Sequence, residues 1–214
     1  MWVIALTPLI HIVDDDASFR KSLAQLLQAS GYEVVLYDSA EQVLRLPPDA
    51  RPGCILLDVR MPGLSGPELQ DRLVQFGSPL PIIFLSGHAN IPTTVRTIKA
   101  GAEDFLSKPI AKKVLFDAIG RALERCQATL AQREQINVLR ARVGKLTPRQ
   151  RKVFELVARG QINKQIAFAL GTTERTIKAH RQKVMQKLNA HSLLELVAIA
   201  ERLGILGVSE TGQG

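Results

Sequence analysis

The stretch Leu9-Ile10-His11-Ile12-Val13-Asp14-Asp15-Asp16 decides the fold, because its apolar run ends abruptly in three aspartates. A short, nearly continuous apolar run predicts a strand buried on both faces inside a parallel sheet. The aspartates then follow the carboxyl end of that strand, which is the edge where open parallel sheets bind ligands. The residues that close the other strands are therefore the candidates for a site.

Further apolar runs alternate with segments of helical periodicity through the first 120 residues. The predicted strands are Leu9–Val13, Tyr32–Tyr37, Cys54–Leu57, Pro81–Leu85 and Glu103–Leu106. The predicted helices are Ala17–Ala29, Ser39–Leu46, Pro67–Phe76, Pro92–Ala100 and Lys112–Glu124. This alternation predicts an α/β fold, a doubly wound five-stranded parallel sheet covered by helices on both faces.

The charge of the chain is concentrated in its C-terminal part. The 214 residues carry a formal net charge of +8, and the length suits two domains. The first 126 residues hold 13 Lys and Arg against 14 Asp and Glu, whereas the rest hold 15 against 6. A basic second domain predicts contact with a polyanion such as nucleic acid, although a solvated basic face would have the same composition.

Residues 146–206 have the start and stop signals of four short helices, which predicts a small all-α domain after the sheet. The signals are Thr147-Pro148 and Gly160 for the first helix, Asn163 as the cap of the second, Glu174–Leu188 for the third, and a Ser192 to Glu195 capping box for the fourth. Residues 123–145 are interpreted as a helical linker, either a short coiled-coil seam or a solvated spacer. Residues 207–214 are predicted to be disordered.

Two features of the sequence, the number of cysteines and the apolar run at its start, indicate where in the cell the protein is expected. Cys54 and Cys126 are too few for a disulfide framework and lack metal-ligand spacing. The run at residues 1–13 has no basic leader or cleavage site, so it does not resemble a signal peptide. No stretch is long and apolar enough to span a bilayer. These features predict a cytoplasmic protein with no membrane partner.

Polar residues close four of the predicted strands. Asp14 and Asp15 follow the first strand, Asp58 the third, Ser86 the fourth, and Lys108 the fifth. Carboxylates that converge at one edge either have raised pKa values or surround a hard cation, and Mg²⁺ suits such oxygen ligands. The hydroxyl and the ammonium group are donors for phosphoryl oxygens. Asp16, next in sequence, is predicted to cap the following helix.

These residues resemble the receiver domain of two-component response regulators. The resemblance covers about Leu9–Ala122 and rests on Ile12-Val13-Asp14-Asp15-Asp16, Leu57-Asp58-Val59-Arg60-Met61-Pro62-Gly63, Leu85-Ser86-Gly87-His88, Lys99-Ala100-Gly101-Ala102 and Phe105-Leu106-Ser107-Lys108-Pro109. It implies that a sensor histidine kinase transfers a phosphoryl group to Asp58, which becomes an aspartyl phosphate. One departure is Asn90, which stands where related regulators often carry an acid.

The receiver resemblance also implies roles for the other strand-end residues. Mg²⁺ would be held by Asp15, Asp58 and the backbone carbonyl of Arg60, and by Asp14 through water. Lys108 would pair with the phosphoryl group and Ser86 would hydrogen-bond it, while Phe105 would be the rotating switch aromatic.

The C-terminal region resembles the LuxR-type helix-turn-helix, and the whole chain resembles the NarL/FixJ subgroup of response regulators. The resemblance covers Leu146 to about Leu206 and rests on Leu146-Thr147-Pro148-Arg149-Gln150-Arg151, Val153-Phe154-Glu155-Leu156, Gly160, Asn163-Lys164-Gln165-Ile166-Ala167, Leu170, Thr176-Ile177-Lys178-Ala179-His180 and Lys187-Leu188. Gln150 stands where the family usually has glutamate, a departure that predicts a weaker local polar contact.

The third helix of this domain predicts a face for the major groove of DNA. Ile177, Val184 and Leu188 form one apolar side of that helix. Arg175, Lys178, Ala179 and Gln182 are predicted to face outward together. On this face, Lys178, Ala179 and Gln182 are predicted to meet base edges. Residues predicted to meet phosphates are Lys164, Thr173, Thr176, Arg181 and Lys183.

The sequence therefore predicts a cytoplasmic transcription regulator with a receiver at residues 1–122, a linker at 123–145 and a DNA-binding domain at 146–206. Phosphorylation is expected to promote a homodimer through the face of the fourth helix, fifth strand and fifth helix, with Val95 and Lys99 at its centre. Promoter DNA and RNA polymerase are the expected further partners. Two alternatives are a phosphorylation-independent DNA-binding regulator and a phosphatase that uses Asp14 and Asp16.

Overall fold

The computed structural model describes residues 7–45, 51–87 and 91–206. In its first part the elements are β1 (Leu9–Val13), α1 (Ala17–Gln28), β2 (Glu33–Tyr37), α2 (Ala40–Leu44), β3 (Gly53–Asp58), α3 (Gly66–Gln75), β4 (Ile82–Ser86), α4 (Ile91–Lys99) and β5 (Asp104–Ser107). They are followed by α5 (Lys112–Gly144), α6 (Pro148–Ala158), α7 (Asn163–Ala169), α8 (Glu174–Leu188) and α9 (Leu193–Arg202). The predicted end of the second helix at Leu46, the departure at Asn90 and the tail 207–214 lie outside the described residues.

The five strands form one parallel sheet in the order β2-β1-β3-β4-β5. The predicted doubly wound fold is confirmed. Val13 pairs with Leu57 and Ser86 pairs with Ser107, so the strands end at a common edge. Strands β1, β3 and β4 are buried along their whole length, which explains why their sequences are apolar without alternation.

Alternate residues of the central strands face two different apolar clusters. On one side, Ile12 and Leu56 pack with apolar residues of α1 and α5. On the other side, Val13 and Leu57 pack with apolar residues of α2 and α3. The sheet is therefore held between two helical layers, and its carboxyl edge is left for the polar residues that follow each strand.

The chain divides into two compact units, residues 1–131 and residues 132–214, and α5 contributes to both. The division falls within the predicted linker 123–145. The fifth predicted helix continues beyond Glu124 to Gly144 because the sequence offers no proline to stop it. Within the described ranges, no helix combines the length and apolar character needed to cross a membrane.

The second unit has the four predicted short helices, packed around one apolar cluster. Phe154 of α6, Ile166 of α7 and Leu196 of α9 pack with the predicted apolar side of α8. That side, formed by Ile177, Val184 and Leu188, is buried, which confirms the helical periodicity.

One predicted helix cap and one predicted capping box differ from the structure. Asn163 was predicted to cap α7, but Ile162 occupies the N-cap position and Asn163 begins the helix. The Asn163 side chain instead accepts a hydrogen bond from Arg181, a tertiary contact that competes with local capping. Ser192 caps α9 as predicted, but the Glu195 carboxylate accepts from the backbone N–H of His191 rather than from that of Ser192.

Candidate functional site

The aspartates after β1 and at the end of β3 converge on one lysine. Asp14 and Asp58 are buried, with 1% and 7% of their surfaces exposed. The ammonium nitrogen of Lys108 lies 2.5 Å from Asp14 Oδ2 and 2.6 Å from Asp58 Oδ1. Residues far apart in sequence thus form a charged cluster at the edge where the predicted site was placed.

Burial and pairing act in opposite directions on this cluster. Burial raises the pKa of Asp58 above its ordinary value, although the Lys108 ammonium and the Arg60 backbone N–H pull the pKa down. Burial on its own would lower the pKa of Lys108, but its hydrogen bonds to Asp14 and Asp58 outweigh burial and raise that pKa. Lys108 therefore keeps its positive charge beside the two carboxylates.

The backbone closes tightly around Asp58. The second carboxylate oxygen, Oδ2, accepts a hydrogen bond of 2.6 Å from the backbone N–H of Arg60. A Cβ atom added at Gly66 would lie 2.3 Å from the carbonyl oxygen of Asp58 and 3.0 Å from the Phe84 ring. Sequence reasoning missed Gly66, because a glycine before Pro67 also fits an ordinary helix start.

The three adjacent aspartates have different surroundings. Asp14 Oδ1 accepts from the backbone N–H of Asp16, while the side chain of Asp15 is exposed. Asp16 caps α1 by accepting from the backbone N–H groups of Ser18 and Phe19, and these bonds lower its pKa. The predicted capping role of Asp16 is confirmed.

Ser86 and Phe105 lie on neighbouring strands at the same edge. Ser86 is buried at the end of β4, and its carbonyl accepts a hydrogen bond from the backbone N–H of Lys108. Phe105 is half-buried on β5 and stacks on Phe84, with ring centroids 6.1 Å apart. The peptide bond between Lys108 and Pro109 is cis. The predicted switch residues therefore flank the strand edge that carries Lys108.

The carboxylates at this edge suit a magnesium ion by their chemistry. In the described ranges, no three or more His, Cys, Asp or Glu side chains are grouped closely enough to hold a metal by themselves. Mg²⁺ does not need such a group, because it is often bound by one or two carboxylates and keeps several waters. Asp14 and Asp58 already face one cation, the Lys108 ammonium, so the oxygen donors fit the ion.

Two further residues next to this cluster were missed by sequence reasoning. The Lys108 ammonium lies over the ring of Phe19, 4.0 Å from its centroid. The guanidinium of Arg20 donates to the backbone carbonyl of Asp14. No local sequence signal points to either contact, since both depend on how α1 packs beside β1 and β5.

The predicted DNA-binding residues mostly lie on an exposed face of the second unit. Those exposed are Lys164, Thr173, Arg175, Thr176, Lys178, Ala179, Gln182 and Lys183. Arg181 differs, because it is half-buried and donates to Asn163 at 2.8 Å. The hydroxyl of Thr173 accepts from the backbone N–H of Thr176 and caps α8.

Gln150, which stands where the family usually has glutamate, still makes local polar contacts. Its side-chain oxygen accepts from the backbone N–H of Thr147 and from the ammonium of Lys187, at 3.1 and 2.8 Å. The helix cap at Thr147 is thereby joined to the end of α8.

The outer side of α4 is apolar and open. Val95, at 45% exposure, is flanked by the exposed Ile91 and Ile98, with Lys99 exposed at the end of the helix. Thr97 is the one buried residue in the described α4. The predicted dimer residues thus lie on an accessible helix face.

The two halves of the chain match two family models. The response regulator receiver domain matches residues 10–120, and the luxR family of bacterial regulatory proteins matches residues 144–200. The chain therefore belongs to the response regulators that join a receiver to a LuxR-type DNA-binding domain. Within them, it belongs to the NarL/FixJ subgroup, as its relatives indicate.

Two named relatives are similar to this chain over most of its length. Nodulation protein W of Bradyrhizobium diazoefficiens is 42% identical over 197 residues, covering 92% of this chain and 87% of that protein. The transcriptional regulatory protein FixJ of Rhizobium meliloti is 42% identical over 191 residues, covering 89% and 94%. Both similarities extend across the receiver and the DNA-binding domain.

Solved structures give the same result. The response regulator StyR has a TM-score of 0.77 at 43% identity, covering 92% of this chain and 99% of that one. Full-length FixJ from B. japonicum has a TM-score of 0.55 at 40% identity, covering 93% and 98%. The protein is a DNA-binding transcriptional response regulator of a two-component system, and its homologues are regulators of transcription.

Proposed function

We propose that Asp58 accepts a phosphoryl group from a phosphohistidine of a sensor histidine kinase. The observation that carries the proposal is the Lys108 ammonium bound between the buried carboxylates of Asp14 and Asp58. An Asp58 oxygen attacks phosphorus, the bond from phosphorus to the histidine nitrogen breaks, and the nitrogen keeps the electron pair. Asp58 becomes an aspartyl phosphate.

The residues around Asp58 act by position and charge. Lys108 offsets negative charge as the phosphoryl group arrives, and the Arg60 N–H holds the carboxylate in place. Asp15, Asp58 and the Arg60 carbonyl would hold Mg²⁺, with Asp14 binding it through water. The bound ion would neutralise charge on the transferring group.

The signal leaves the site through the ends of β4 and β5. An aspartyl phosphate adds charge and acceptor oxygens at the common edge of the sheet. The Ser86 hydroxyl then bonds a phosphoryl oxygen, Lys108 pairs with the group, and Phe105 turns into the space beside α4. The stacking of Phe105 on Phe84 supports a discrete ring position before this change.

The test of the phosphoacceptor is direct. We expect the protein incubated with acetyl phosphate and Mg²⁺ to gain one phosphoryl group, mapped to Asp58 by mass spectrometry. Asp58→Asn should lose uptake because it removes the nucleophile. Asp117→Asn is a matched control, since Asp117 is exposed on α5 and pairs only with Lys113 among the described ion pairs. Undiminished uptake by Asp58→Asn would contradict the proposal.

Phosphorylation is proposed to promote a symmetric homodimer through α4, β5 and α5. The exposed apolar residues Ile91, Val95 and Ile98 support this face, because paired helices would bury them. We expect sedimentation to show a larger species after phosphorylation, and Val95→Arg to prevent it by placing a charge at the centre. A monomer unchanged by phosphorylation would contradict this step.

The dimer is proposed to bind promoter DNA in the cytoplasm and to act with RNA polymerase. Lys178, Gln182 and Ala179, with Arg175, would read base edges in the major groove. Lys164, Thr173, Thr176 and Lys183 would contact phosphates, and Arg181 would do so while held by Asn163. A symmetric dimer would read two half-sites about 34–36 Å apart.

A further inference from the structure

The ring of Phe19 is a neighbour of Lys108 outside the set of strand-end residues. The ammonium nitrogen lies 4.0 Å from the ring centroid, within the range of a cation–π interaction. The Lys108 side chain is only 20% exposed, so water screens this attraction weakly. The Lys108 ammonium therefore contacts three groups: the carboxylates of Asp14 and Asp58 and the ring of Phe19.

The chain holds the Phe19 ring in a defined place. The backbone N–H of Phe19 donates to Asp16 Oδ1 at 3.1 Å in the first turn of α1. The next residue, Arg20, donates to the carbonyl of Asp14. The ring itself is half-buried and packs against the apolar cluster below the sheet. The same turn thus fixes the ring of Phe19 relative to the backbone of Asp14.

An aromatic ring can attract the Lys108 ammonium without occupying one of its hydrogen bonds, which a carboxylate cannot do. Phosphoryl transfer consumes an Asp58 oxygen, so Lys108 must exchange one hydrogen-bond partner for a phosphoryl oxygen. An aromatic face attracts a cation without taking one of its N–H bonds. The ammonium can therefore stay over the ring while its hydrogen bonds change.

We propose that Phe19 is a positioning residue for Lys108 in phosphoryl uptake at Asp58. The inference rests on the proposed function and adds a residue to it. The ring holds the ammonium where the incoming phosphoryl group needs positive charge, which reduces the reorganisation required during transfer.

The experiment measures the rate constant of phosphoryl uptake from acetyl phosphate with Mg²⁺. Phe19→Leu and Phe19→Met fill the space without an aromatic face, and we expect each to lower the rate about three- to tenfold. Phe19→Tyr restores an aromatic face and should recover most of the lost rate. Thermal unfolding of each variant reports its fold separately.

Leu26→Ala is the matched control for packing. Leu26 also lies on α1 and packs, half-buried, against the same apolar cluster, but it has no aromatic face to attract a cation. Its truncation should lower the unfolding temperature while the uptake rate stays within about twofold of the wild type. A loss of rate that merely follows stability would appear in this variant too.

A double substitution tests whether Phe19 acts through Lys108. In a Lys108→Met background, Phe19→Leu should change the uptake rate less than twofold, because the cation is already gone. Three results would each overturn the inference: a wild-type rate for Phe19→Leu and Phe19→Met, an equal loss for Phe19→Tyr, or an undiminished effect without Lys108. Failure of the proposed function is distinguishable, because the wild-type protein itself would then show no uptake at Asp58.

Discussion

Lys108 and Lys178 are the same residue type in two differently built regions. Lys108 is mostly buried and bound to two carboxylates at the edge of the sheet. Lys178 lies exposed on α8, about 100° around that helix from the buried side formed by Ile177, Val184 and Leu188. Positive charge is thus held in fixed geometry at the proposed phosphorylation site, and is left in water on the helix face proposed to bind DNA.

The difference has an energetic reason. Buried charges must be paired, because an unpaired one loses its hydration without compensation. Exposed charges cost little to maintain and bind phosphates by releasing counterions. The stability of the charged cluster at the receiver edge therefore depends on each of its partners, whereas the proposed DNA-binding face distributes its charge over many side chains.

The largest expected effect is on the stability of the protein when either Lys108 or Lys178 is truncated to alanine. Without divalent cations, Lys108→Ala should lower the free energy of unfolding by about 3–5 kcal/mol, since Asp14 and Asp58 would face each other without a cation. Lys178→Ala should change it by less than about 0.5 kcal/mol. Urea unfolding with a chelator measures both. Equal stabilities of the Lys108→Ala and Lys178→Ala variants would contradict this explanation. Mg²⁺ should restore part of the stability that Lys108→Ala loses.

The next effect concerns DNA recognition by α8. Lys178→Ala should cost about 1–3 kcal/mol on the preferred site and flatten discrimination between sites, because a base contact is lost. The measurement is the dissociation constant for a selected and a scrambled site. If both affinities fall equally, Lys178 does not read sequence.

A smaller and uniform effect is expected at Lys164. Lys164→Ala should weaken binding to all sequences alike and reduce the slope of log K against log salt by about one unit, because one phosphate contact is lost. A salt series on the same two sites measures this slope. Lys113→Ala is the control, since this exposed lysine lies in the receiver beside Asp117. A change in site preference without a change in slope would exchange the roles of Lys164 and Lys178.

The smallest expected effect concerns Gln150, a neutral side chain that accepts a hydrogen bond from the Lys187 ammonium. Gln150→Glu should stabilise the second unit by about 0.5 kcal/mol, because the hydrogen bond from the Lys187 ammonium becomes an ion pair while Thr147 keeps its acceptor. Thermal unfolding at low and high salt measures the gain and its screening. A destabilised variant would show that burying the new charge outweighs the pair.

The sheet and its edge were predictable because the signals are local and repeated. Apolar runs define the strands, and chain order with right-handed crossovers brings Asp14, Asp58 and Lys108 to one edge. Each of these residues directly follows or ends a strand, so topology alone predicts that they lie close together. The four short helices were predictable for the same reason, from caps and glycines.

Other parts of the site depend on tertiary contacts that leave no pattern. Phe19 reads as an ordinary apolar residue of α1, and its contact with Lys108 exists only because two distant elements pack together. Asn163 has the sequence of a cap, but Arg181 competes for its side chain. Local propensity cannot decide such a competition, because the partner comes from another helix.

Gly66 is a position where missense mutations are expected to be poorly tolerated, although the residue has no side chain. Every missense change there adds at least a Cβ atom, which would lie 2.3 Å from the carbonyl oxygen of Asp58. Backbone shifts that relieve this clash would move the end of β3, which carries Asp58, the proposed phosphoacceptor. A random mutagenesis screen for loss of regulation should therefore recover changes at Gly66 alongside changes at Asp58 itself.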